Sequence, residues 1–553
     1  MERSVKPSGK LKLAIPILAL VLTGACVHGE STTESGRDLS IGRTEVWTIP
    51  LDPALLLQSA TYTPSGKVLV SYARDDAASE REVTLGVMND DGSKLRTIFS
   101  KHVPDRSGDN GLRYMIFPDN KRIFLGDFVI ECTPSIDNCD TSELLPVEYP
   151  AEVADGGHVA ARWSEIIVAP DNRHVAWTTL LSNYAAAPVF IGELRRRDGG
   201  YVISDPRIIS TIDVLEPDPE HGDGVIPQVL RGGEVKQFVH GGTAISFAGA
   251  KSRDVPDSVL QDLPSGRIEQ ITDTPGYTET TIFSPDERLG ITMTTRFSPS
   301  TDLAILGLVP RPHPTSLNMG LSMFAYTYGV TGVRRSRAGN VGPALIDIAA
   351  SKRGGGYQGI NLNTDDAWVF HSPMSWHPSS KKALWIEGLR GSDRKRIRIV
   401  NLPDYSPAPA VAARPTPDAM RYASSDLSIV PSLLKKAQDI EAKVYGRVSG
   451  YIEYKRTMTS IEKVYVGYSD DGRNTYSGRE TMQINPGGRS TYAADITLSG
   501  AVPGRMDLAI TFGPLRGDPA AEIIFDIDAS GRAVSRGYAE FGGKRLHVRD
   551  LEP

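Results

Sequence analysis

The chain has 553 residues, 40% of them apolar and 23% charged, with a formal net charge of −6. That length allows two or three globular domains, and the mild acidity without long blocks of like charge argues against a nucleic-acid surface. The 53 glycines and 38 prolines suit many short strands and turns better than long helices.

Arg3, Lys6, Lys10 and Lys12 precede an apolar run, Leu13 to Leu22, which is too short to span a bilayer comfortably. Leu22-Thr23-Gly24-Ala25-Cys26 follows. Small residues before a cysteine resemble the bacterial lipobox, although Thr23 stands where leucine is most usual. The resemblance implies a signal peptide over 1–25, a lipid on Cys26 as the mature N-terminus, and a polar tether over 26–44. Val27, in place of aspartate, is similar to lipoproteins sorted to the outer membrane, on its periplasmic face. The alternative is an ordinary secretory signal that happens to contain Cys26. Export leaves Cys132 and Cys139 in an oxidising compartment, where a pair this close in sequence predicts a local disulfide. A metal site there would need more thiols or a nearby histidine.

From Thr61 the chain alternates short apolar runs with tight turns. TYTPSGKVLVSY and REVTLGVMNDDGSKLRTIF each read as two strands joined by a reversal, at Pro64-Ser65-Gly66 and Asn89-Asp90-Asp91-Gly92. MIFPDNKRIFLGD, IIVAPDNRHVAW, TIFSPDERLGITM and MSWHPSSKKALWIE repeat the pattern, with prolines at Pro118, Pro170, Pro285 and Pro378. The intervals are roughly 50 residues or about twice that, a period of repeat architectures. FVHGGTAISFAGA with LQDLPSGRIEQIT fills the first long interval, and the stretch from Leu321 to Ile360 is taken to fill the second. The expectation is about seven four-stranded blades in a β-propeller. LGVMNDDGSKLRTI and TIFSPDERLG resemble the TolB-like, WD40-like (PD40) propeller repeat, and the resemblance covers Val46 to Pro403. It bears on fold and hardly at all on function.

Within the repeats, His240, His371, Trp376 and His377 are candidate ligand-binding residues of a funnel; the alternative makes Trp376 a core residue and His377 a turn residue. Glu216 to Gly224, EPDPEHGDG, has acidic groups and His221, but its spacing matches no cation loop and it reads as a solvated loop. A formal G-x-G-x-x-G at Gly354–Gly359 lacks the strand–helix context of a dinucleotide site. Residues 404–440 are a Pro-rich linker ending in a short amphipathic helix. From 441 to 553, alternating runs separated by glycine, aspartate or proline turns predict a C-terminal β-sandwich. The fold class is therefore all-β, with the propeller at 45–403.

No G-x-S-x-G, H-E-x-x-H or P-loop motif occurs. The all-β C-terminal stretch does not suit the hydrolase domain that accompanies propellers in prolyl-oligopeptidase-like peptidases. The expected role is binding rather than catalysis: a lipid-anchored envelope protein whose propeller takes a protein or glycan partner, with no cofactor and no nucleic acid. The alternative is a polysaccharide lyase or hydrolase with a site lined by His240, His371 and His377. Some lyases of that class hold a metal on propeller histidines.

Overall fold

The computed structural model describes residues 41–552 apart from 75–80, 107–111, 155–157, 161, 163–165, 182–186, 211–214, 228–232, 250–256, 274–276, 299–323, 325–326, 336, 355, 435–438, 458, 486 and 516–520. The leader, Cys26 and most of the tether lie outside the described residues.

The first repeat is a four-stranded antiparallel meander: Leu55–Tyr62, Val68–Arg74, Glu82–Met88 and Arg96–His102. Its first turn needs a left-handed residue, which Gly66 supplies with φ 87°. The equivalent position in the other clear repeats is Asn120, Asn172, Glu287 and Ser380, all at φ between 55° and 60°. Asparagine tolerates that region; glutamate and serine hold it at a cost of about 1 kcal/mol each. Blade two is Tyr114–Ile116, Arg122–Leu125, Phe128–Thr133 and Thr141–Glu148, and Cys132 and Cys139 are joined by a disulfide across its last connection. Blade three is Ile167–Val168, His174–Thr178, Val189–Arg197 and Gly200–Ser210. Blade four is Glu234–Val239, Ala244–Gly249, Asp257–Asp262 and Ile268–Gln270. Blade five is Thr278–Phe283, Leu289–Thr294, Ala344–Asp347 and Ile360–Asn361. Blade six combines Trp368–Trp376, Lys382–Leu389 and Lys395–Asn401 with the N-terminal strand Glu45–Thr48 on its outer edge.

The propeller thus has six blades among the described residues, not seven. The interval read as a separate blade is a long insertion between Thr294 and Ala344, followed by the third and fourth strands of blade five. The second half of Leu321–Ile360 therefore completes a blade instead of starting one. From blade two to blade six the inner strands of neighbouring blades touch in ring order, the inner strand of blade six meets that of blade one, and Thr61 of blade one reaches Tyr114 of blade two at 3.5 Å. The first-to-second-strand turns all lie on one face. Asp119 N–H donates to Asn172 Oδ1 at 2.8 Å, His240 N–H to Glu287 Oε1 at 2.6 Å, and Asp286 N–H to Ser380 Oγ at 3.2 Å.

The C-terminal region is all-β, but its eight strands form one sheet where two stacked sheets were expected. From Ile440–Tyr445 to Lys544–His547, each strand pairs with the next in sequence. Along Ser490–Gly500 every second side chain is buried and the rest are exposed, so one face of the sheet is covered and the other meets solvent. The covered face holds a buried ion pair, Lys463–Glu480 at 3.1 Å, with Tyr465 and Tyr492 donating to Glu480. Contacts at two places fix this sheet to the propeller among the described residues. Phe324 of the blade-five insertion packs on Phe512 at 4.8 Å. The hairpin between blades three and four, Leu215–Pro217 with Val225–Pro227, brings Asp223 to Lys443 Nζ at 2.8 Å and stacks His221 on Tyr445 at 3.7 Å. The loop read as solvated is thus a docking tip.

The Pro-rich stretch after blade six lies along the propeller as a strap. Asp286 of the blade-five turn accepts from Tyr405 Oη at 2.6 Å and from Ala408 N at 3.1 Å. Val411 N–H donates to Pro285 O, Arg414 N–H to Gly241 O of the blade-four turn, and Thr416 N–H to Asp171 of the blade-three turn. Met420 then packs into the core between blades three and four, and Ser424 bridges Ile208. Val430 of the helix Ile429–Leu434 ends in the core of blades two and three. Proline-rich backbone stays extended and lacks donors, so it follows the turn face, and the strap pairs with the outer strand of blade three at Ser424, beyond Pro417.

At blade three the strap is fastened through His174, which is nearly buried. Nδ1 lies 2.7 Å from Asp171 Oδ2 and Nε2 lies 3.1 Å from Asp418 Oδ1 of the strap. Burial alone would lower the imidazole, but the hydrogen bond to Asp171 and then the one to Asp418 hold it above the ordinary histidine value. Arg173 and the cross-strand partner Glu193 also face it.

Two outcomes follow. Asp286→Ala removes the acceptor for Tyr405 and Ala408 and should destabilise by about 2–4 kcal/mol, read from denaturant midpoints, with faster proteolysis within 404–423. A raised histidine stabilises fully below its unfolded value of about 6.5, and that contribution is lost as pH rises through the folded value. Proteolysis of the strap should therefore accelerate above neutral pH, and His174→Gln should flatten that dependence; an unchanged profile in the variant would contradict it.

Candidate functional site

A closed ring of blades leaves one channel with two mouths. At the turn mouth, Trp376 donates its indole N–H to Ile282 O at 2.8 Å and is buried between blades five and six, so it is a core residue. His377 sits in the blade-six turn, edge-on to Tyr62 at 5.1 Å and bonded through Nδ1 to Ser379. Burial, and then Lys382, lower its pKa. His240 belongs to the blade-four turn, with Nε2 3.7 Å from Glu287. His371 lies six residues before His377 on the same strand, roughly 20 Å away at 3.3 Å per residue. The histidines expected to converge are therefore divided between the two ends of the channel. Among the described residues no group of three or more His, Cys, Asp and Glu is placed to hold a metal ion.

The other mouth, where the inner strands begin, gathers charge. The inner strand of blade four reads EVKQFV and that of blade five TETTIF. Lys236 Nζ lies 2.9 Å from Glu234 Oε2 and 2.9 Å from Glu279 Oε1, and all three side chains are mostly buried. Tyr277 Oη donates to Glu279 Oε2 at 2.9 Å. Arg113, just ahead of the blade-two inner strand, reaches Glu234 at 3.9 Å. Arg334, on the helical turn Val333–Arg335 of the blade-five insertion, donates to Phe370 O of blade six at 3.0 Å. Burial alone would raise the Glu279 carboxyl; Lys236, then Arg334 and the Tyr277 hydroxyl, hold it below its ordinary value. This arrangement can bind and orient polar groups, each charge being fixed by a neighbouring blade.

None of these residues stands out by motif. The available signal was charge inside strands otherwise patterned for burial, Glu234, Lys236 and Glu279, because a charge buried in a core strand is rare unless paired.

A cavity of about 180 Å3 lies between the strap and blade three, lined by Arg173, His174, Glu193, Asp205 and Asp418 among others. Its charges largely satisfy one another, with Arg173–Glu193 at 2.7 Å and Arg195–Asp205 at 2.9 Å, so it serves to seat the strap.

No family model matches the chain, and no curated protein matches it. Among solved structures it is similar to a putative TolB from Agrobacterium tumefaciens, with 12% identity over 55% of this chain and 80% of that one and a TM-score of 0.31. TolB from Acinetobacter baumannii matches with 12% identity over 62% of this chain and 63% of that one, with a TM-score of 0.29. An oligogalacturonate lyase in complex with manganese matches with 10% identity over 67% of this chain and 96% of that one, with a TM-score of 0.34. At these scores the likeness adds nothing to the sheet topology, and the assignment as an all-β propeller rests on the blades themselves.

Lys236→Met should leave the buried Glu279 carboxylate without its ion-pair partner and cost about 3–5 kcal/mol near neutral pH. A depressed carboxyl stabilises above its unfolded value and loses that contribution as pH falls through the folded value. The penalty in Lys236→Met should therefore shrink on acidification as Glu279 takes up a proton, which denaturant titrations at about pH 4.5 and 7 would resolve.

Proposed function

We propose that this chain is an exported, lipid-anchored cell-envelope protein whose propeller binds a protein or glycan partner at the mouth where the inner strands begin. The observation that carries this reading is the meeting there of Arg113, Glu234, Lys236, Glu279 and Arg334 from three blades and an insertion. Buried ion pairs stabilise a fold no better than apolar packing of the same volume, so stability alone does not account for the concentration. Propellers converge their loops on a central concavity, where polar groups from several blades meet one ligand. On the turn face, blades three to five hold the chain's own strap. The positive leader and the Thr23-Gly24-Ala25-Cys26 stretch support export and a lipid on Cys26. The catalytic alternative required His240, His371 and His377 in one site, and their placement at two ends of the channel gives it no support.

The test uses the whole mature protein. Immobilised protein is exposed to solubilised envelope and to an oligosaccharide panel, and retention is compared with Arg113→Glu at the mouth and Lys455→Glu on the eight-stranded sheet. Arg113→Glu should weaken retention at least about tenfold, roughly 1.4 kcal/mol, and Lys455→Glu should leave it intact. The reverse pattern would place the site on the C-terminal sheet. In cells, Cys26→Ser should move the protein out of the membrane fraction.

A further inference from the structure

Beside the paired charges of the mouth stand three basic side chains that form no ion pair among the described residues: Arg334, His371 and Lys395. The placement of His371 and Lys395 follows from the register of blade six. Val369 and Lys395 both lie opposite Gly388 on the middle strand, and cross-strand partners share a face. His371, two residues after Val369, shares that face too. A Cβ on Gly388 would stand 2.8 Å from His371 Nε2, so the bare glycine lets the imidazole lie beside Lys395. Lys395 Nζ reaches Gln58 O of the blade-one inner strand at 3.4 Å. Arg334 anchors through Nε on Phe370 O, next to His371, and its Nη2 meets the Met293 sulfur at 3.5 Å, a weak acceptor.

We infer that Arg334, Lys395 and His371 form a site for an oxyanion, the carboxylate, sulfate or phosphate group of a ligand entering the channel. The inference rests on the reading of this mouth as the binding face and names the chemistry it takes. Arginine presents a planar fork that matches two oxyanion oxygens, lysine adds a compact charge, and neutral histidine adds one N–H. Among the described residues two carboxylates act on the trio, and neither forms an ion pair with it. Glu279 is taken by Lys236 and Tyr277. Asp393, on the adjoining turn, acts on Lys395 without an ion pair. His371 feels the two neighbouring cations: burial, then Arg334 and Lys395, push its imidazole down to about 3. A bound anion would offset those two charges and raise it.

The experiment titrates the full mature chain with sodium sulfate and, separately, with citrate, following binding by calorimetry and the His371 imidazole by NMR. Sulfate keeps its charge across the acid range, so the imidazole shift reports the site alone. Saturable binding is expected for both probes. Arg334→Met and Lys395→Met should each weaken it at least about tenfold, roughly 1.4 kcal/mol, with Arg334→Lys restoring part, and saturating sulfate should raise the His371 pKa. Unfolding midpoints close to the parent's confirm that the variants fold. Absence of saturable binding, equal binding by the folded variants, or an unmoved His371 would each overturn the inference. Partner retention that still responds to Arg113→Glu in that case would leave the mouth as the binding face and remove only its preference for anions.

Discussion

The pairing of Glu45–Thr48 with Lys395–Asn401 is the constraint on which the rest depends. Glu45 lies opposite Asn401 and Thr48 opposite Arg398, so the start of the folded chain completes the blade built by the end of the propeller. That pairing supplies the outer strand of blade six and ties the two ends of the ring together, which covers an edge that would otherwise be open to another chain. The cores lie mostly between blades. Ile49, Leu57, Tyr62 and Val70 of the first part of the chain pack with Leu384, Ile386, Ile397 and Ile399 of blade six. The inner strands converge on a channel only because this circuit closes.

Closure gives the channel two unlike ends. The turn end is built from the repeat motif, and its aspartates cap their own turns while Asp171 and Asp286 also grip the strap. The other end follows no motif and is the place where blades differ. Lys236 belongs to blade four, which lacks the repeat's turn motif, Glu279 to the inner strand of blade five, and Arg334 to that blade's insertion. A stacked blade tolerates such change at a loop or strand start, because packing between blades is carried by the middle of each strand. The insertion that supplies Arg334 also supplies Phe324, so the element that completes the mouth is the one that seats the eight-stranded sheet. A ligand at Arg334 would therefore contact an element shared by both parts of the molecule.

The fold was legible where local chemistry repeats. Pro-Ser-Gly, Pro-Asp-Asn and Pro-Asp-Glu turns fix a left-handed residue and a reversal at each blade, and β-branched runs flank them. The blade count was not legible, because an interval of two periods is also what one blade with a long insertion produces. The eight-stranded sheet was seen as strands but not as a single sheet, since strand order depends on sheet coiling, which alternation does not encode. The strap was read as a linker because Pro-rich composition reports an extended backbone without reporting what it lies on. Trp376 and His377 stand out by residue type, and their contacts support the alternative that makes them a core residue and a turn residue. The charged mouth was not legible because Glu234 with Lys236, Glu279 and Arg334 sit on three segments far apart in sequence and carry no spacing rule; the stacking of blades around the channel brings them together.

The most direct measurement of the central claim is hydrogen–deuterium exchange on the full mature chain with and without the partner retained from envelope extracts. The account predicts partner-dependent protection of the amides at Glu234–Val239, Thr278–Phe283 and Trp368–His371, with the strap and the strands between Ile440 and His547 unchanged. Protection confined to Ile440–His547 or to the strap, with those inner strands unaffected, would contradict it.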